Sequence, residues 1–456
     1  MTGTAEEPSV SSRPSAWLAV WSPVLPLLLA EGVIALGFGA ILPILAVYYT
    51  QHGVDLPMLG VVVAAWPAAR LVGEPFFGRL ADRASRKTMM VAALLVSAVA
   101  VTLPLAVTGA IPFIVLRAIG GLGAAAYDPA ARGYLVDANP PERQGETFGM
   151  YSAAQMGGFM VGPAVGGLAA AITGEPGVVF WVFGLAYAVS ALVVGFRVAD
   201  RLQAEPAVVS RTVPEGEAEA VVEFVADALA SVTSDARGTA DGADAPKPVG
   251  LLNRLLIVAL VANVGAYLAS GTYEVIWSVY MTSLGASFTL IGVSFFTFSL
   301  PVLLLSPFTG RFVDRHGGFF ALVIGGIGIA GCGIAYPLIP SVSWMIGLGM
   351  VEGIAAALST PALYTLVSRA APPGRSSTAQ GLFGAAGTSG TIVASVAAGY
   401  LASIDLRLPF IAMGVTTLAM LALGVALGGC VLWSALQPHH LSDPVPAGDP
   451  AGEAAA

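Results

Sequence analysis

The chain has 456 residues, of which 56% are hydrophobic and 11% are charged, and its mean hydropathy is +0.81. A soluble protein of this length would carry roughly a quarter charged residues, so the composition excludes an ordinary soluble domain. The net charge is −8, but the acidic excess lies in the segment 198–250 and in the two tails. Nucleic-acid binding is therefore not expected.

Twelve apolar segments are each long enough to cross a hydrocarbon core about 30 Å thick, which takes about 20 helical residues. A membrane β-barrel would instead show ten-residue stretches of alternating hydrophobicity. We therefore predict an all-α membrane protein whose twelve transmembrane helices lie near residues 22–48, 58–78, 88–108, 111–132, 147–171, 178–197, 252–280, 288–309, 318–338, 342–366, 378–402 and 409–433.

The two halves of the sequence repeat each other at an offset of 232 residues. Residues 71–83 share seven identities with residues 303–315, and each copy lies between two apolar segments. Six spans per half give both halves the same orientation, related by an axis along the membrane normal. The repeat predicts two pseudo-symmetric six-helix bundles, and its charged loop pairs Gly78, Asp82 and Arg83 with Gly310, Asp314 and Arg315.

The basic residues predict the orientation of these bundles. With the first tail inside, 17 of the 20 Lys and Arg residues fall on the cytoplasmic side, which follows the positive-inside rule. We expect a multi-pass protein of the plasma (inner) membrane with both termini cytoplasmic and no signal peptide. The predicted parts are a tail (1–16), a first bundle (17–197), a linker (198–250), a second bundle (251–433) and a tail (434–456).

Three motifs belong to the first half. The loop from Gly78 to Lys87 combines glycine, bases and an acid, Asp82, which needs a basic partner or a helix N-terminus. In the fourth span Arg117 precedes Gly121 and Gly123, and a buried arginine should face a cavity or an acid. In the fifth span we expect small residues to share one helix face, with a bend at the proline: Gly149, Gly158, Gly162, Pro163, Gly166 and Gly167.

These three motifs resemble those of the major facilitator superfamily, and more narrowly its twelve-span drug:proton antiporters. The resemblance extends from about Trp17 to Trp433. It departs from the family pattern at Ser85, where glycine is usual, and at Gly120, where glutamine is common. The fifth-span pattern matches in full and is the most specific for export.

The resemblance implies roles for individual residues. Asp82 and Arg86, next to Lys87, would hold the two bundles together at the cytoplasmic side in the outward-open state, with Asp137 as a partner of the basic cluster. Arg117 would take part in proton handling, and Gly162-Pro163 would shape the bending of the fifth span. Arg117 has no counterpart in the second half, where Gly349 stands at its repeat position.

Four carboxyl groups fall within predicted spans, where burial disfavours their charge and favours reversible protonation. Glu31 and Glu352 are candidates for a proton or substrate site, or for a structural hydrogen bond. Glu274 lies beside Tyr273 and Trp277, which would suit a cationic amphipathic compound, although these aromatic residues would also suit simple packing. Glu74 lies one turn from Arg70 and should pair with it; Asp128 lies near the cytoplasmic end of the fourth span.

The leading hypothesis is a proton-driven exporter of small amphipathic compounds that works by alternating access. The alternative is a transporter, including an importer, of one narrow polar metabolite. A polytopic membrane enzyme is a remote third hypothesis, because no nucleophile motif, phosphate loop or metal-ligand cluster is present in the sequence. We expect no cofactor or metal, a proton as coupling ion, a small-molecule substrate, a lipid bilayer around a monomer, and no nucleic acid.

Overall fold

The computed structural model describes residues 21–81, 85–138, 144–199, 253–371 and 376–435. These residues form twelve long helices: α1 (Leu25–Gln51), α2 (Leu56–Ala81), α3 (Arg86–Thr102), α4 (Ala110–Ala138), α5 (Gln144–Thr173), α6 (Val178–Arg197), α7 (Arg254–Ser283), α8 (Phe288–His316), α9 (Phe319–Ala335), α10 (Val342–Ala370), α11 (Ser376–Ile404) and α12 (Leu408–Ala435). All twelve are long and apolar enough to cross a membrane. The predicted all-helical, twelve-span fold is confirmed. The predictions for Asp82, Arg83, the tail 1–16 and the linker from residue 200 onward lie outside the described residues.

Side-chain caps begin several of these helices. The Ser85 hydroxyl accepts a hydrogen bond from the Thr88 amide at 3.3 Å, and the Asn253 side chain accepts one from the Leu256 amide at 2.8 Å. Serine and asparagine are favoured at this position because they satisfy an amide that has no partner within the helix. Ser85, which stands where the family that the sequence resembles usually has glycine, therefore caps α3.

The helices pack as two groups of six. In the first group α1 lies against α5 and α6, and α2 lies against α4; in the second, α7 lies against α11 and α12, and α8 lies against α10. The two groups meet where α2 packs on α11, α5 on α8, and α1 on α7. We call the end of the molecule where α6 ends and α7 begins, at Arg197 and Arg254, the linker end, and the opposite end the closed end.

Backbone contacts between the two bundles seal the closed end. A Cβ atom added to Gly60 of α2 would lie 2.3 Å from the Ser395 carbonyl oxygen of α11, and one added to Gly399 would lie 2.5 Å from that of Leu56. The repeat generates the same contacts a second time. At these four positions only glycine leaves room for the facing backbone, and the second set joins Gly292 to Pro163 at 2.4 Å and Gly167 to Phe288 at 2.6 Å.

The same helix pairs diverge toward the linker end. Among the residues that the structure describes, no atom lies within 4 Å of a Cβ added to Gly78 of α2, Gly149 of α5, Gly310 of α8 or Gly381 of α11. The two bundles thus touch at the closed end and stand apart at the linker end.

The fifth-span glycines serve two different helix faces. Gly158, Gly162 and Gly166 lie against α1, where an added Cβ would approach carbonyl oxygens to 2.2, 2.4 and 1.9 Å. Gly167 instead faces α8, and Gly149 has open space around it. The prediction of a single small-residue face is therefore wrong for Gly149 and Gly167, because the motif packs α5 inside its own bundle and against the other bundle at once.

A valine at Gly60 or Gly292 should prevent the closed end from sealing. Overpacking of this kind costs about 2 kcal/mol, so the sealed population should fall roughly 30-fold. The readout is labelling by a membrane-impermeant maleimide at Ser278→Cys, a buried closed-end position, with Cys332 and Cys430 replaced by serine. Labelling should rise in both valine variants and not in the control Gly149→Val. Equal labelling in all variants would contradict the assignment.

Candidate functional site

An ion pair joins the two bundles inside the membrane region. The Arg117 Nη2 atom of α4 lies 2.7 Å from the Glu274 Oε1 atom of α7 and donates a second hydrogen bond to the Val63 carbonyl oxygen at 3.1 Å. Both side chains are shielded, with 9% and 15% of their surface exposed. Burial strengthens the attraction between the charges, and it makes an unpaired partner costly.

The same arginine borders a small cavity inside the first bundle. Its walls include the rings of Phe38, Trp66 and Phe183, and the Arg117 Nε atom has no hydrogen-bond partner among the described residues. The guanidinium group is thus held by one carboxylate and one carbonyl group and has an apolar surface on another side. Loss of the carboxylate partner would leave its charge poorly compensated.

Glu352 of α10 is buried in the second bundle and held by two tyrosines. The Tyr273 hydroxyl donates to Oε1 at 2.7 Å, and the Tyr336 hydroxyl donates to Oε2 at 2.6 Å. Tyr273 is the neighbour of Glu274 on α7, so consecutive residues of one helix contact the second-bundle acid and the cross-bundle ion pair. A displacement of α7 would therefore alter both contacts.

Aromatic rings enclose the Glu352 site. The Trp277 and Tyr336 rings lie edge to face at 4.9 Å between centroids, and Phe410 of α12 lies 5.9 Å from Tyr336. The Trp277 indole nitrogen donates to the Ser294 hydroxyl at 2.8 Å. An acid surrounded by aromatic faces has the chemistry to bind an organic cation. In this structure the Trp277 ring also packs in the buried cluster of the second bundle.

A second group of charges lies in the linker-end half of the first bundle. Arg70 Nε pairs with Glu74 Oε1 at 2.7 Å, and Arg70 Nη2 pairs with Asp128 Oδ2 at 2.6 Å. Arg132 approaches the same Asp128 oxygen at 3.9 Å, and the Arg70 guanidinium lies 5.5 Å from the Trp66 ring centroid. The expected local pair of Arg70 and Glu74 is present, and Asp128 is a further member of the group.

Glu31 of α1 is 3% exposed and lies apart from these ion pairs. Its Oε1 atom accepts a hydrogen bond from the Gln155 side chain of α5 at 2.8 Å. The hydroxyl groups of Tyr127 and Tyr151 also interact with the Glu31 carboxyl group. Glu31 thus accepts a hydrogen bond from an amide, whereas Glu74 and Asp128 pair with an arginine.

The loop motif is placed within the first bundle. The Arg86 side chain at the start of α3 pairs with Asp137 near the end of α4 and lies over Gly133, where an added Cβ would be 2.7 Å from its guanidinium carbon. Lys87 is half-buried, and Arg315 in the second copy is exposed. The described partner of Arg86 is therefore in its own bundle, while the Asp82 contact and the Asp314 side chain lie outside the described part of the chain.

The fourth-span glycines bring α4 close to its neighbours. A Cβ added to Gly121 would lie 2.3 Å from the Trp66 carbonyl oxygen of α2, and one added to Gly123 would lie 2.1 Å from the Ser97 hydroxyl oxygen of α3. These contacts fix α4 between α2 and α3, which places Arg117 at the boundary with the second bundle.

The predicted charged residues lie at three different depths along their helices. At 1.5 Å per helical residue, Glu31 lies about 9 Å along α1 from its linker-end start. Arg117 lies about 10 Å and Glu352 about 15 Å from the closed-end starts of α4 and α10. The structure therefore brings together Arg117 with Glu274, Glu352 with Tyr273, and Arg70 with Asp128, but it does not join all of them in one site.

Sequence reasoning missed four polar partners of these acids. Tyr336 lies in a short turn after α9, and no local pattern in the sequence marks it as a partner of an acid. Tyr151 and Gln155 are polar residues one turn apart within a membrane-spanning segment, and that pattern could have indicated a polar site. Tyr127 precedes Asp128 and is buried. Each of these side chains interacts with an acid on another helix, so its role cannot be predicted from its own segment of the sequence.

Comparisons with known proteins agree with this architecture. The quinolone resistance protein NorA of Staphylococcus aureus is 30% identical over 141 residues, which is 31% of this chain and 36% of NorA. Multidrug resistance protein 2 of Bacillus subtilis is 32% identical over 135 residues, 30% of this chain and 34% of that protein. The matched stretches thus cover about a third of these relatives.

Solved structures show the same fold at low sequence identity. A bacterial homologue of the human lysosomal transporter Spinster, in an inward-facing and unoccupied conformation, has a TM-score of 0.63 at 14% identity, covering 95% of this chain and 100% of that one. The nucleoside transporter NupG has a TM-score of 0.66 at 14% identity, covering 88% and 99%. The model of the Major Facilitator Superfamily matches residues 27–257 and again 255–451. The chain is a multi-pass membrane transporter and belongs to the Major Facilitator Superfamily.

Proposed function

We propose that this transporter exports small amphipathic cations from the cytoplasm in exchange for protons, by alternating access. The observation that carries the proposal is the ion pair between Arg117 and Glu274, because it places a titratable group on the surface where the two bundles must separate. The names of the matched relatives, a quinolone resistance protein and a multidrug resistance protein, support export of drug-like compounds.

The orientation of the bundles is compatible with export. With the basic residues on the cytoplasmic side, the linker end faces the cytoplasm and both termini lie there. The structure is then an inward-facing state: its closed end faces outward, and the gap between the bundles admits substrate from the cytoplasm. The same proposal places the protein in the plasma membrane as a monomer, because one chain supplies both bundles.

The proton acts on the cross-bundle ion pair. In the inward-facing state Arg117 and Glu274 attract each other across the boundary between α4 and α7, which favours the sealed closed end. Protonation of Glu274 would remove the charge that Arg117 binds, so the sealed closed end would lose this stabilisation relative to the outward-open state. Deprotonation restores the pair, which couples proton binding to the conformational change, and the proton gradient across the membrane drives the exchange.

The substrate site in this proposal is the acid and aromatic cluster of the second bundle. Glu352 attracts a cation, and the rings of Tyr273 and Trp277 offer apolar and quadrupolar contacts. A bound cation would draw on the carboxylate that now accepts hydrogen bonds from Tyr273 and Tyr336. Because Tyr273 adjoins Glu274, substrate binding and proton release act on the same stretch of α7.

Purified protein in proteoliposomes should release protons when it transports organic cations. With at least one dye in a panel of amphipathic cations, we expect the compartment that the dye leaves to become more acidic. A proton uncoupler should abolish that signal. The Glu352→Gln variant should lower dye transport about tenfold or more through loss of the substrate charge partner, whereas the exposed closed-end control Glu175→Gln should not.

Transport of dyes without any proton flux would refute coupling. Saturable uptake of a single polar solute, with no response to dyes, would favour the narrow-metabolite alternative.

Neutralising one partner of the cross-bundle pair should destabilise the protein more than neutralising both. Arg117→Gln or Glu274→Gln alone leaves a buried charge without its partner, at a cost of about 3 kcal/mol. The double variant removes both charges and should recover part of the lost stability. Thermal unfolding followed by tryptophan fluorescence tests this cycle. Strictly additive losses would show that the two side chains do not interact in the folded protein.

A further inference from the structure

The cavity beside Arg117 occupies the same place in the first bundle as the Glu352 site does in the second. The helices α4 and α10, which carry Arg117 and Glu352, have bounds that differ by 232 residues at both ends. At this offset, five residues that line the cavity correspond to residues of the Glu352 site: Ile41 to Tyr273, Leu45 to Trp277, Ala100 to Cys332, Pro104 to Tyr336 and Gly120 to Glu352. The repeat thus builds one interior position twice.

The two bundles fill this position differently. In the second bundle the hydroxyl groups of Tyr273 and Tyr336 both donate to the Glu352 carboxyl group. In the first bundle the corresponding side chains are small or apolar, and Gly120 contributes no side chain at all. Among the described residues, a Cβ added to Gly120 would meet the Trp66 ring alone, at 3.6 Å. A cavity of about 30 Å³ remains there.

A charged side chain with an unused donor borders this cavity. Arg117 is 8% exposed, and its Nη2 group donates to the Glu274 carboxylate and to the Val63 carbonyl oxygen. Its Nε atom has no hydrogen-bond partner among the described residues. A buried N–H group without an acceptor is strongly unfavourable. The chemistry of the cavity therefore favours an occupant that accepts a hydrogen bond.

Hydroxyl-bearing residues also line the cavity. Tyr49, Ser97 and Tyr187 belong to its walls, and both tyrosines lie close enough to Arg117 for an electrostatic interaction. A buried water molecule typically makes about three hydrogen bonds to polar groups of the protein. The Nε–H group and these hydroxyl groups supply that number, while aromatic rings form much of the remaining wall.

Size and charge together select water as the occupant. One water molecule needs about 10–15 Å³ of cavity volume, so a cavity of about 30 Å³ has room for about two. Arg117 is the one charged residue in the described lining, and Glu274 already balances its charge. An anion would add an unbalanced negative charge inside the membrane region. Water accepts the hydrogen bond from Nε without adding charge.

We propose that this cavity is a hydration site, which binds about two water molecules through the Arg117 Nε–H group, and that this water keeps the guanidinium group solvated when Glu274 moves away. The second half of the proposal rests on the proposed alternating-access function. Arg117 and the cavity belong to the first bundle, whereas Glu274 moves with the second. Opening of the closed end therefore separates Arg117 from its carboxylate partner but not from its water.

Magnetic resonance of the Arg117 side chain tests the hydration site without any substrate. The full chain, with its arginines labelled with nitrogen-15, is studied in proteoliposomes by magic-angle-spinning NMR. Magnetisation transferred from water should reach the Nε signal that disappears in Arg117→Lys, and it should arrive faster than at the Arg117 backbone amide. Transfer no faster than at that amide would show a dry cavity and overturn the proposal. Exchange of chloride for gluconate should not shift the Nε signal, and a shift would assign the cavity to an anion instead.

A matched pair of substitutions at Gly120 tests the same site through stability. Glutamine and methionine have similar lengths and similar helix propensities, and Glu352 stands at the repeat-related position with a side chain of comparable length. Either side chain would displace the water, but only the glutamine amide oxygen can accept a hydrogen bond from Arg117 Nε. Gly120→Met should therefore unfold roughly 2–4 °C below Gly120→Gln. An equal or higher unfolding temperature for Gly120→Met would overturn the proposal, because a dry apolar cavity favours the apolar side chain.

Opening of the closed end tests the second half of the proposal. With Ser278→Cys as the maleimide target and Cys332 and Cys430 replaced by serine, Gly120→Met should be labelled about tenfold more slowly than Gly120→Gln. The physical reason is that the open state of Gly120→Met leaves Arg117 without its carboxylate and without an acceptor for Nε. Equal labelling would overturn the role of the water in opening, while the hydration site and export would stand. Water contact at Arg117 in a protein that transports no dye would refute the proposed function and leave the hydration site in place.

Discussion

The two bundles can seal one side of the membrane because their backbones touch without side chains between them. Four glycines make this contact, and the repeat relates them in pairs: Gly60 with Gly292, and Gly167 with Gly399. Their partners are repeat-related too, so one geometry is used twice. Helices in a membrane gain little from the hydrophobic effect on association, and close packing supplies the attraction instead. A contact of this kind holds no strong bond, which suits a seal that must open and re-form.

The position of the charges follows from this closure. Arg117 and Glu274 come from different bundles and form a shielded ion pair where the bundles meet. Their attraction is stronger in that sealed, low-dielectric setting than it would be in water, so the pair favours the state that buries it. In the proposed cycle, a proton on the acid would weaken the same state. The packing and the chemistry are therefore coupled at one surface.

The two halves of the repeat share their close backbone contacts but differ in their polar side chains. Glycine contacts recur faithfully, and Gly121 against Trp66 corresponds to Gly353 against Phe298, each with an added Cβ 2.3 Å from a carbonyl oxygen. The titratable groups do not recur: Glu352 corresponds to Gly120, and Glu31 to Asn263. In the proposed cycle, the common geometry would let two equal bodies rock against each other, and the divergent side chains would give the bodies different tasks in proton and substrate binding.

Hydropathy, the 232-residue repeat and the three motifs were enough to predict twelve helices in two bundles, because a bilayer permits few alternatives for spans of this length. Adjacent pairs on one helix, such as Arg70 and Glu74, were predictable for the same local reason. The sequence alone could not join Arg117 to Glu274, Glu352 to Tyr336, or Glu31 to Gln155, since those contacts connect residues 157, 16 and 124 positions apart. Nor could it assign Gly167 to the opposite bundle. Local pattern determined the helices and their hydrophobicity, and only the packing of distant helices decided which buried charges found a partner.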